Sequence, residues 1–270
     1  MRQLIFKLSR SAFLRRLVQV LRLHKVGNWW LRHFPLMRKM PGSGIIYRAT
    51  RLESIPLAVE MFEKGNLYDA EMLPQNFTTF ADLGCNVGYF TCWLAHLANG
   101  RKLEGVMLDA NPEAVEEAKW HVQANGWDKV FGVHGIVGES GKGGAVDFFL
   151  YESNICSTSQ LPDVEAMGLK GKWTRISVPC LTLEDEWRKR FGNTRCHVLK
   201  VDIEGSEMNF LATEQSFLKR VDSILLEWHK WRVSLDEVKA CLGMQGFSLV
   251  KVLEENEQMG TAIFHLASRI

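Results

Sequence analysis

Apolar and polar residues alternate along this chain with two different periods. From Thr78 onward, short apolar runs of strand length are followed by segments whose apolar residues recur at helical spacing. The apolar runs ending at Asp82 and Asp109 and the run at residues 198–203 are each followed by such a helical segment. This alternation predicts a doubly wound, mostly parallel α/β sheet of the Rossmann-like type.

Local signals mark the ends of several predicted elements. Asn111-Pro112 is the pattern of an N-cap followed by a first helical residue, and residues 234–237 form a capping-box pattern. The last two predicted strands, residues 247–253 and 262–267, are joined by a polar loop. We therefore expect an antiparallel hairpin at the C-terminal end of the sheet.

The chain before this alternating region is predicted to form an extension. Residues 1–40, called the N-terminal arm below, have the spacing of one or two amphipathic helices, and Pro41 to Gly44 has the composition of a linker. The predicted organisation is an arm at 1–40, a cap or linker segment at 41–75, and a ligand-binding domain at 76–270.

Charge is distributed unevenly. The first 52 residues hold twelve Lys or Arg and no Asp or Glu, so all 31 acidic residues lie in the remainder of the chain. Basic and aromatic residues on an amphipathic helix are typical of helices that lie on anionic membranes. The alternative is that the N-terminal arm packs on the acidic body. Both arrangements give the same periodicity.

Composition limits the compartment and the class of protein. The hydrophobic fraction of 46% is ordinary for a globular domain, and the six cysteines contain no C-x-x-C pair, as expected of free thiols in a reducing compartment. No apolar run reaches eighteen residues, and arginines interrupt every candidate signal peptide. We expect a cytoplasmic protein, with possible peripheral contact at the inner membrane face and no nucleic-acid partner.

The loop after the first predicted strand has the character of a nucleotide-binding turn. Gly84 and Gly88 permit a sharp turn, but a dinucleotide fingerprint would have another glycine at Asn86. Asp82, just before the first glycine, would repel a pyrophosphate. S-adenosylmethionine, which carries a sulfonium and an ammonium, fits this loop better, with Asp109 at the next strand end to bind its ribose hydroxyls.

Two later strands carry charges that a buried parallel strand should lack. Lys200 and Asp202 share one face of a strand that continues to Glu204, and Glu227 and His229 share a face of the next strand. Ligands of open α/β sheets bind beyond the carboxyl ends of the strands. These side chains therefore predict a site at that edge, although a structural role stays open for each of them.

Three segments together resemble a known family. Residues 82–88 (DLGCNVG), 109–112 (DANP) and 200–207 (KVDIEGSE) are similar to the signatures of FkbM-type S-adenosylmethionine-dependent methyltransferases, and residues 226–229 (LEWH) resemble that family's next strand. The resemblance covers roughly residues 65–255. It implies a class I methyltransferase fold and methylation of a hydroxyl on a sugar, glycan or secondary metabolite. Cys85 in place of alanine, and Asp109-Ala110 in place of Glu-Pro, are departures from the family pattern.

The expected residues form two sets. The predicted catalytic residues are Asp202, His229, Glu204 and Lys200, with Asp202 or His229 as the base that deprotonates the acceptor. The predicted cofactor-binding residues are Asp82, Gly84, Cys85, Asn86, Gly88, Asp109, Ala110, Asn111, Val137 and Asp202. No metal is predicted, although a divalent cation held by Asp202, Glu204 and Glu227 would do similar work. A nicotinamide oxidoreductase and a non-catalytic membrane-associated protein remain as alternatives.

Overall fold

The computed structural model describes residues 23–64, 68–138, 143–151, 157–158 and 173–267. The strands are β1 (Leu36–Lys39), β2 (Ile46–Ala49), β3 (Thr79–Leu83), β4 (Glu104–Asp109), β5 (Val130–His134), β6 (Ala145–Tyr151), β7 (Ser157–Thr158), β8 (Trp173–Pro179), β9 (Cys196–Val201), β10 (Val221–His229), β11 (Phe247–Glu255) and β12 (Met259–Leu266). The α-helices are α1 (Leu23–His33), α2 (Ser54–Val59), α3 (Tyr89–Ala98), α4 (Pro112–Asn125), α5 (Leu183–Phe191), α6 (Glu207–Thr213), α7 (Gln215–Leu218) and α8 (Leu235–Met244). A π-helical turn at Glu60–Lys64 extends α2, and a short 3-10 helix covers Ala70–Met72.

A seven-stranded sheet in the order β11-β12-β10-β9-β3-β4-β5 forms the centre of the fold. Strands β3, β4, β5, β9 and β10 run parallel, and β12 pairs antiparallel with both β10 and β11. This arrangement confirms the predicted doubly wound sheet with its antiparallel C-terminal hairpin. The chain leaves β3 and β9 toward opposite edges, so a crevice opens at their carboxyl ends, where such sheets bind ligands.

The helix ends lie where their capping signals predict. The Asn111 side chain accepts the backbone N–H of Glu113 at 3.0 Å, and Pro112 occupies the first turn of α4. At the start of α8, Ser234 and Glu237 form the reciprocal capping box. Each cap satisfies backbone groups that the helix leaves unpaired, which explains why these boundaries can be predicted from sequence.

Two apolar clusters cover the two faces of the central sheet. Phe80, Val198 and Leu225 belong to the cluster on one face, and Ala81 and Leu199 belong to the cluster on the other. This division follows from the period of two along each strand. The even-numbered positions of β3 and β9 therefore point to the same face, which also carries the charged residues of these strands.

Strands β6, β7 and β8 form a separate antiparallel sheet rather than further strands of the central one. They join the main sheet through the single bridge between Ile136 and Cys180 among the described residues. The sequence pattern predicts strands at residues 146–151 and 176–181, close to β6 and β8, but it treats residues 152–175 as irregular and so misses β7 and the start of β8. It also does not separate these strands from the central sheet, because both kinds of strand alternate with the same period.

The last part of the N-terminal arm differs from the prediction. Helix α1 ends at His33, and β1 follows it as a strand, where the sequence pattern predicted helix to residue 40. The expected linker at 41–44 is a hairpin turn, in which Met40 donates its N–H to Ile45 O at 2.8 Å. Pairing of β1 with β2 over Leu36–Ala49 overrides the weak helical period. Residues 1–22, where most of the predicted arm falls, lie outside the described residues.

The described part of the arm packs on the body. Leu31 of α1 is buried in a small cluster with Leu36, Ala49 and Ile55. The side chain of Asn125 on α4 both accepts from and donates to the backbone of Ile46, at 2.7 and 2.8 Å. These contacts fix α1 and the β1–β2 hairpin against α4. None of the helices described for this chain has the length and apolar composition of a transmembrane span.

Packing of α1 on the body is testable by truncating a side chain on each of its faces. Leu31 is 1% exposed, so Leu31→Ala should lower the free energy of unfolding by about 2–5 kcal/mol. Val26 is 63% exposed, and Val26→Ala should change the free energy by no more than about 0.5 kcal/mol. Urea denaturation measures both, and equal stabilities of the two variants would contradict this packing.

Candidate active site

A buried ammonium group joins the two central strands at their carboxyl ends. The register of β3 and β9 places Asp82 beside Lys200. The Lys200 Nζ atom lies 3.6 Å from Asp82 Oδ1 and 3.2 Å from Asp202 Oδ2, and it donates a hydrogen bond to Gly84 O at 3.0 Å. One side chain thus contacts the end of β3, the loop that follows it, and the end of β9.

Burial and the neighbouring charges shift the pKa values of Asp82 and Lys200 in opposite directions. Burial raises the pKa of Asp82 to about 6, against the attraction of Lys200 and a hydrogen bond from Thr91. Burial also lowers the pKa of Lys200, but the charges of Asp202 and Asp82 outweigh it and hold that pKa well above its ordinary value. Lys200 faces more opposite charges than Asp82 does, so Lys200 stays protonated while Asp82 depends on it for ionisation.

The loop between β3 and α3 contacts the end of β9 through a glycine. Gly84 has a φ of +66°, and a Cβ built on it would lie 1.7 Å from the carbonyl oxygen of Asp202. Asn86 also has a left-handed φ, of 47°, which asparagine tolerates better than most residues. Asn86 therefore adopts a conformation for which a dinucleotide fingerprint would use glycine. The asparagine at this position thus discriminates less between a nicotinamide cofactor and S-adenosylmethionine than the sequence suggests.

Asp109 connects this loop to the end of β4. Its Oδ2 accepts the backbone N–H of Asn86 at 2.7 Å, and its Oδ1 accepts that of Asn111 at 2.8 Å. Burial raises the pKa of Asp109, and these two hydrogen bonds oppose the rise. Each carboxylate oxygen has a second lone pair, so Asp109 can also accept hydrogen bonds from a ligand hydroxyl.

These elements line a cleft of about 790 Å³, counting the solvent in its mouth. One wall is apolar and the other carries carboxylates. The lining residues are Gly84, Asn86, Leu108, Asp109, Ala110, Asn111, Ala114, Gly135, Ile136, Val137, Phe148, Asp202, Ile203, Glu204 and Ser206. Among the described residues, no lysine or arginine lines it. The cleft is therefore unsuited to a pyrophosphate and suited to a cationic ligand with an apolar ring.

A second polar cluster lies beside the cleft, around His229 at the end of β10. The His229 Nδ1 atom lies 2.9 Å from Glu207 Oε1, and its Nε2 atom lies 3.2 Å from Glu204 Oε2 and 3.5 Å from Glu227 Oε1. Burial lowers the pKa of His229, but hydrogen bonds and charge from Glu204 and Glu207 raise it well above its usual value. His229 is therefore an imidazolium between carboxylates at neutral pH.

The carboxylates outnumber the cations in this cluster. Burial, followed by repulsion from Asp202, raises the pKa of Glu227 to about 8. Burial also raises the pKa of Glu204, against its hydrogen bond with His229. Glu227 therefore carries a proton through much of the neutral range, because Lys200 and His229 do not compensate all of the surrounding negative charge.

A strained turn positions Glu204. Its φ is +50°, and Gly205 follows with a φ of +92°. A Cβ at Gly205 would lie 2.4 Å from the indole ring of Trp231, so this position requires glycine. Non-glycine residues with left-handed φ store strain and cluster at functional sites. Here the turn brings the Glu204 side chain to His229 and to the cleft.

The structure divides the predicted site residues into three groups. Those that line the cleft are Gly84, Asn86, Asp109, Ala110, Asn111, Val137, Asp202 and Glu204. Lys200 and His229 contact residues that line it. Asp82, Cys85 and Gly88 are buried and do not line it. A Cβ at Gly88 would lie 2.9 Å from Ala118 Cβ, and Cys85 is buried in the apolar cluster on one face of the sheet, so both have packing roles.

The predicted site set lacks several residues of this region, among them Glu207, Phe148 and Tyr68. Glu207 is fully buried against His229, although its position suggested only a favourable charge at a helix start. Phe148 lines the cleft from the separate small sheet. Tyr68 is buried, and the charges of Lys200, Asp202 and Glu227 act on its hydroxyl. No sequence motif marks Phe148 or Tyr68, because neither lies on a strand of the central sheet.

The same cluster has the geometry of a cation site. Asp202, Glu227 and His229 each offer a ligand atom, and these atoms lie within 4.8 Å of one another. Carboxylate ligands suit Mg²⁺ or Mn²⁺, whereas an imidazole ligand suits transition metals such as Zn²⁺ or Fe²⁺. The cation considered from the sequence had Glu204 in place of His229.

Comparison with known proteins identifies the class. Residues 57–249 match the family described as the Methyltransferase FkbM domain. The match covers most of the chain, so this protein belongs to the FkbM methyltransferase family and is an S-adenosylmethionine-dependent methyltransferase. That membership favours the methyltransferase over the oxidoreductase and the non-catalytic protein considered from the sequence. No curated protein sequence matches the chain.

Solved structures of other methyltransferases resemble this chain at low sequence identity. Mycoplasma TrmK (M. capricolum) with S-adenosylhomocysteine has 11% identity and a TM-score of 0.44, over 73% of this chain and 65% of that chain, so this chain spans less than two thirds of TrmK. The magnesium protoporphyrin IX methyltransferase of Synechocystis, with bound cofactor, has 12% identity and a TM-score of 0.38, over 78% and 76%. A TehB-like methyltransferase from Corynebacterium glutamicum has 11% identity and a TM-score of 0.40, over 79% and 97%.

The cleft residues fit S-adenosylmethionine. The apolar wall of Leu108, Ala110 and Ile136 suits an adenine ring, and Asp109 has free lone pairs for ribose hydroxyls. Asp202 and Glu204 supply negative charge at the other end, as a sulfonium and an ammonium require. The absence of basic side chains from the described lining agrees with a ligand that carries no phosphate.

We expect Asp109 to contribute to cofactor affinity. Asp109→Asn keeps an acceptor oxygen but loses the charge, and Asp109→Ala loses both. S-adenosylhomocysteine should therefore bind about 1.5–3 kcal/mol more weakly to the alanine variant than to wild type. The asparagine variant should lose less affinity than the alanine variant does. Titration calorimetry measures the affinity. Asp128→Ala, at an exposed position, is the control. Unchanged affinity in both Asp109 variants would remove this residue from the cofactor site.

The raised pKa of Glu227 predicts a pH-dependent stability. The unfolded chain releases this proton near pH 4.5, whereas the native protein keeps it up to about pH 8. Wild type therefore loses stability from this group as the pH rises between these values. Relative to wild type, Glu227→Gln should gain on the order of 1–2 kcal/mol between pH 5 and pH 8.

Urea denaturation in EDTA at the two pH values measures this gain. Glu254→Gln, exposed on β11, is the matched control and should show no such trend. A difference in the free energy of unfolding between Glu227→Gln and wild type that does not change with pH would contradict the raised pKa of Glu227.

Proposed function

We propose that the enzyme transfers the methyl group to a hydroxyl oxygen of a sugar, a glycan or a secondary metabolite, with Asp202 as the base. The observation that carries this proposal is the row of carboxyl groups on Asp202, Glu204 and Glu227 beside the cofactor cleft. Carboxylates accept hydrogen bonds from hydroxyl groups. An acceptor rich in hydroxyls therefore suits this wall better than an apolar or anionic acceptor does.

The bound cofactor supplies an electrophilic methyl group on a sulfonium. An alcohol oxygen attacks such a group well only if its proton is removed as the new bond forms. Asp202 lines the cleft, and its side chain is 27% exposed, so an acceptor can reach it. Lys200 holds Asp202 Oδ2 at 3.2 Å, which fixes the carboxylate and leaves Oδ1 for the acceptor.

Asp202 is a better base than His229. Both ring nitrogens of His229 lie within 3.2 Å of carboxylate oxygens, and the pKa of this histidine is raised. A protonated imidazole cannot accept the acceptor proton. Its role in this proposal is to hold Glu204 and Glu207 in place at the wall that binds the acceptor.

A metal-assisted version has its own support in the geometry of Asp202, Glu227 and His229. It requires that the cation displace a proton from His229 Nε2 and the proton of Glu227, because metal ligands are deprotonated. A divalent cation there would acidify the acceptor hydroxyl, as metal ions do for bound water. It would also offset the excess negative charge. Loss of turnover in EDTA and its recovery with magnesium would favour this version over a base acting alone.

We expect Asp202→Asn to lower turnover far more than cofactor affinity. The amide keeps the shape of the side chain but cannot take a proton, so turnover should fall by about 10²–10⁴-fold. Affinity for S-adenosylhomocysteine should fall much less, because the amide removes only one of the charges near the ammonium. Transfer of labelled methyl from the cofactor into sugar, lipid and protein fractions of a cell extract first identifies the acceptor fraction. Turnover is then measured with that fraction.

His229→Gln and Asp128→Asn serve as comparisons. The first should lower turnover less than Asp202→Asn, and the second should leave it unchanged. Full turnover in Asp202→Asn would show that another group is the base. Label that accumulates in protein rather than in hydroxyl-rich small molecules or glycans would contradict the proposed acceptor class.

A further inference from the structure

An unusual concentration of exposed apolar side chains lies on α1 and β1. Val26, Trp29, Phe34 and Met37 are 63%, 59%, 53% and 56% exposed. Only three other large apolar side chains of the described residues are exposed, namely Phe131, Met244 and Val250. Four of the seven thus come from a stretch of twelve residues. We call these four side chains the α1 surface.

The α1 surface is not the face through which α1 packs on the body. The opposite face of α1 already packs on the body through Leu31, which is 1% exposed. Asn28 accepts the N–H of Leu52 at 2.8 Å and donates to Glu53 at 3.2 Å. Because these contacts fix the helix, Val26 and Trp29 remain exposed in the folded protein. Concentrated exposed apolar groups on a folded protein mark interaction sites.

Basic residues surround the α1 surface. Lys25, Arg38 and Lys39 are exposed beside it, and no acidic residue occurs among the first 52 residues. The rest of the chain contains all 31 acidic residues. Glu53 and Glu113 contact α1 through Asn28 and Arg32, but the exposed charged side chains next to Val26 and Met37 along the chain are basic. The partner that this surface fits is therefore negatively charged with an apolar layer beneath the charge.

We propose that the α1 surface docks the enzyme on an anionic lipid bilayer. Tryptophan is enriched at the membrane interface, and lysine and arginine are attracted to anionic headgroups. Single-stranded nucleic acid also attracts basic and aromatic side chains, but it binds by stacking bases on aromatic rings. Val26 and Met37 have no ring for stacking, whereas both can enter the acyl region of a bilayer.

Ion pairs connect α1 to the helix that begins at the cleft wall. Arg32 of α1 donates to Glu113 Oε2 at 3.1 Å, and Arg51 also pairs with Glu113. Glu113 lies in the first turn of α4, where its N–H is bonded to Asn111, a residue of the cleft wall. An acceptor held at the bilayer surface would be presented to that edge of the enzyme. The docking itself does not depend on the acceptor proposed above.

Vesicle flotation with the full-length protein tests this proposal. Vesicles of phosphatidylcholine with phosphatidylglycerol should bind the wild type, vesicles of phosphatidylcholine alone should bind it at least tenfold more weakly, and salt should weaken binding to the anionic vesicles. The variant Trp29→Ser with Phe34→Ser should lose at least tenfold in partitioning onto anionic vesicles. Lys25→Gln with Lys39→Gln should reduce binding and its salt dependence.

Met244→Ser with Val250→Ser is the matched control, because it removes two exposed apolar side chains elsewhere, and it should bind like wild type. Affinity for S-adenosylhomocysteine and the melting temperature should be unchanged in all these variants, which confirms that each is folded. Wild type that fails to bind anionic vesicles would overturn the proposal. So would full binding by the Trp29 and Phe34 variant, preferential binding of single-stranded RNA, or a dimer dissociated by these substitutions in the absence of lipid.

Discussion

The buried ammonium of Lys200 is the interaction on which the rest of the site depends. Burying a charge is unfavourable unless opposite charges and hydrogen bonds compensate for it. In this protein Asp82, Asp202 and the carbonyl of Gly84 provide that compensation. Each of these partners belongs to a different segment, so the requirement to satisfy one charge brings the end of β3, the glycine loop and the end of β9 together.

The cofactor side and the acceptor side of the site both extend from Lys200. On the cofactor side, Gly84 contacts the backbone of Asp202, and Asp109 holds the loop by accepting the N–H of Asn86. On the acceptor side, Glu204 leaves β9 in a left-handed turn and reaches His229. Asp202, the base that we propose, lies between the two halves.

The pattern of the sequence is sufficient for the sheet and for much of the cleft. Charged residues at the end of an apolar strand predict that their side chains lie at the carboxyl edge of the sheet, because a charge inside such a strand needs a partner. The protonation of His229 could not be predicted, since it depends on Glu207 and Glu204 approaching its two nitrogens. The strand β1 and the contribution of Phe148 depend on tertiary pairing, which local periodicity does not encode. Asp82 has the right position but acts through Lys200 rather than by lining the cleft.

The central claim is that Lys200 and Asp82 are coupled as a buried pair. A double-mutant cycle of Lys200→Met and Asp82→Asn, measured by urea denaturation at pH 8, tests it most directly. Removing Lys200 alone leaves a buried carboxylate unpaired and should lower the free energy of unfolding by about 3–5 kcal/mol. The double variant should recover part of that loss, with a coupling energy of about 1–3 kcal/mol. Effects that add to within about 0.5 kcal/mol would contradict the account.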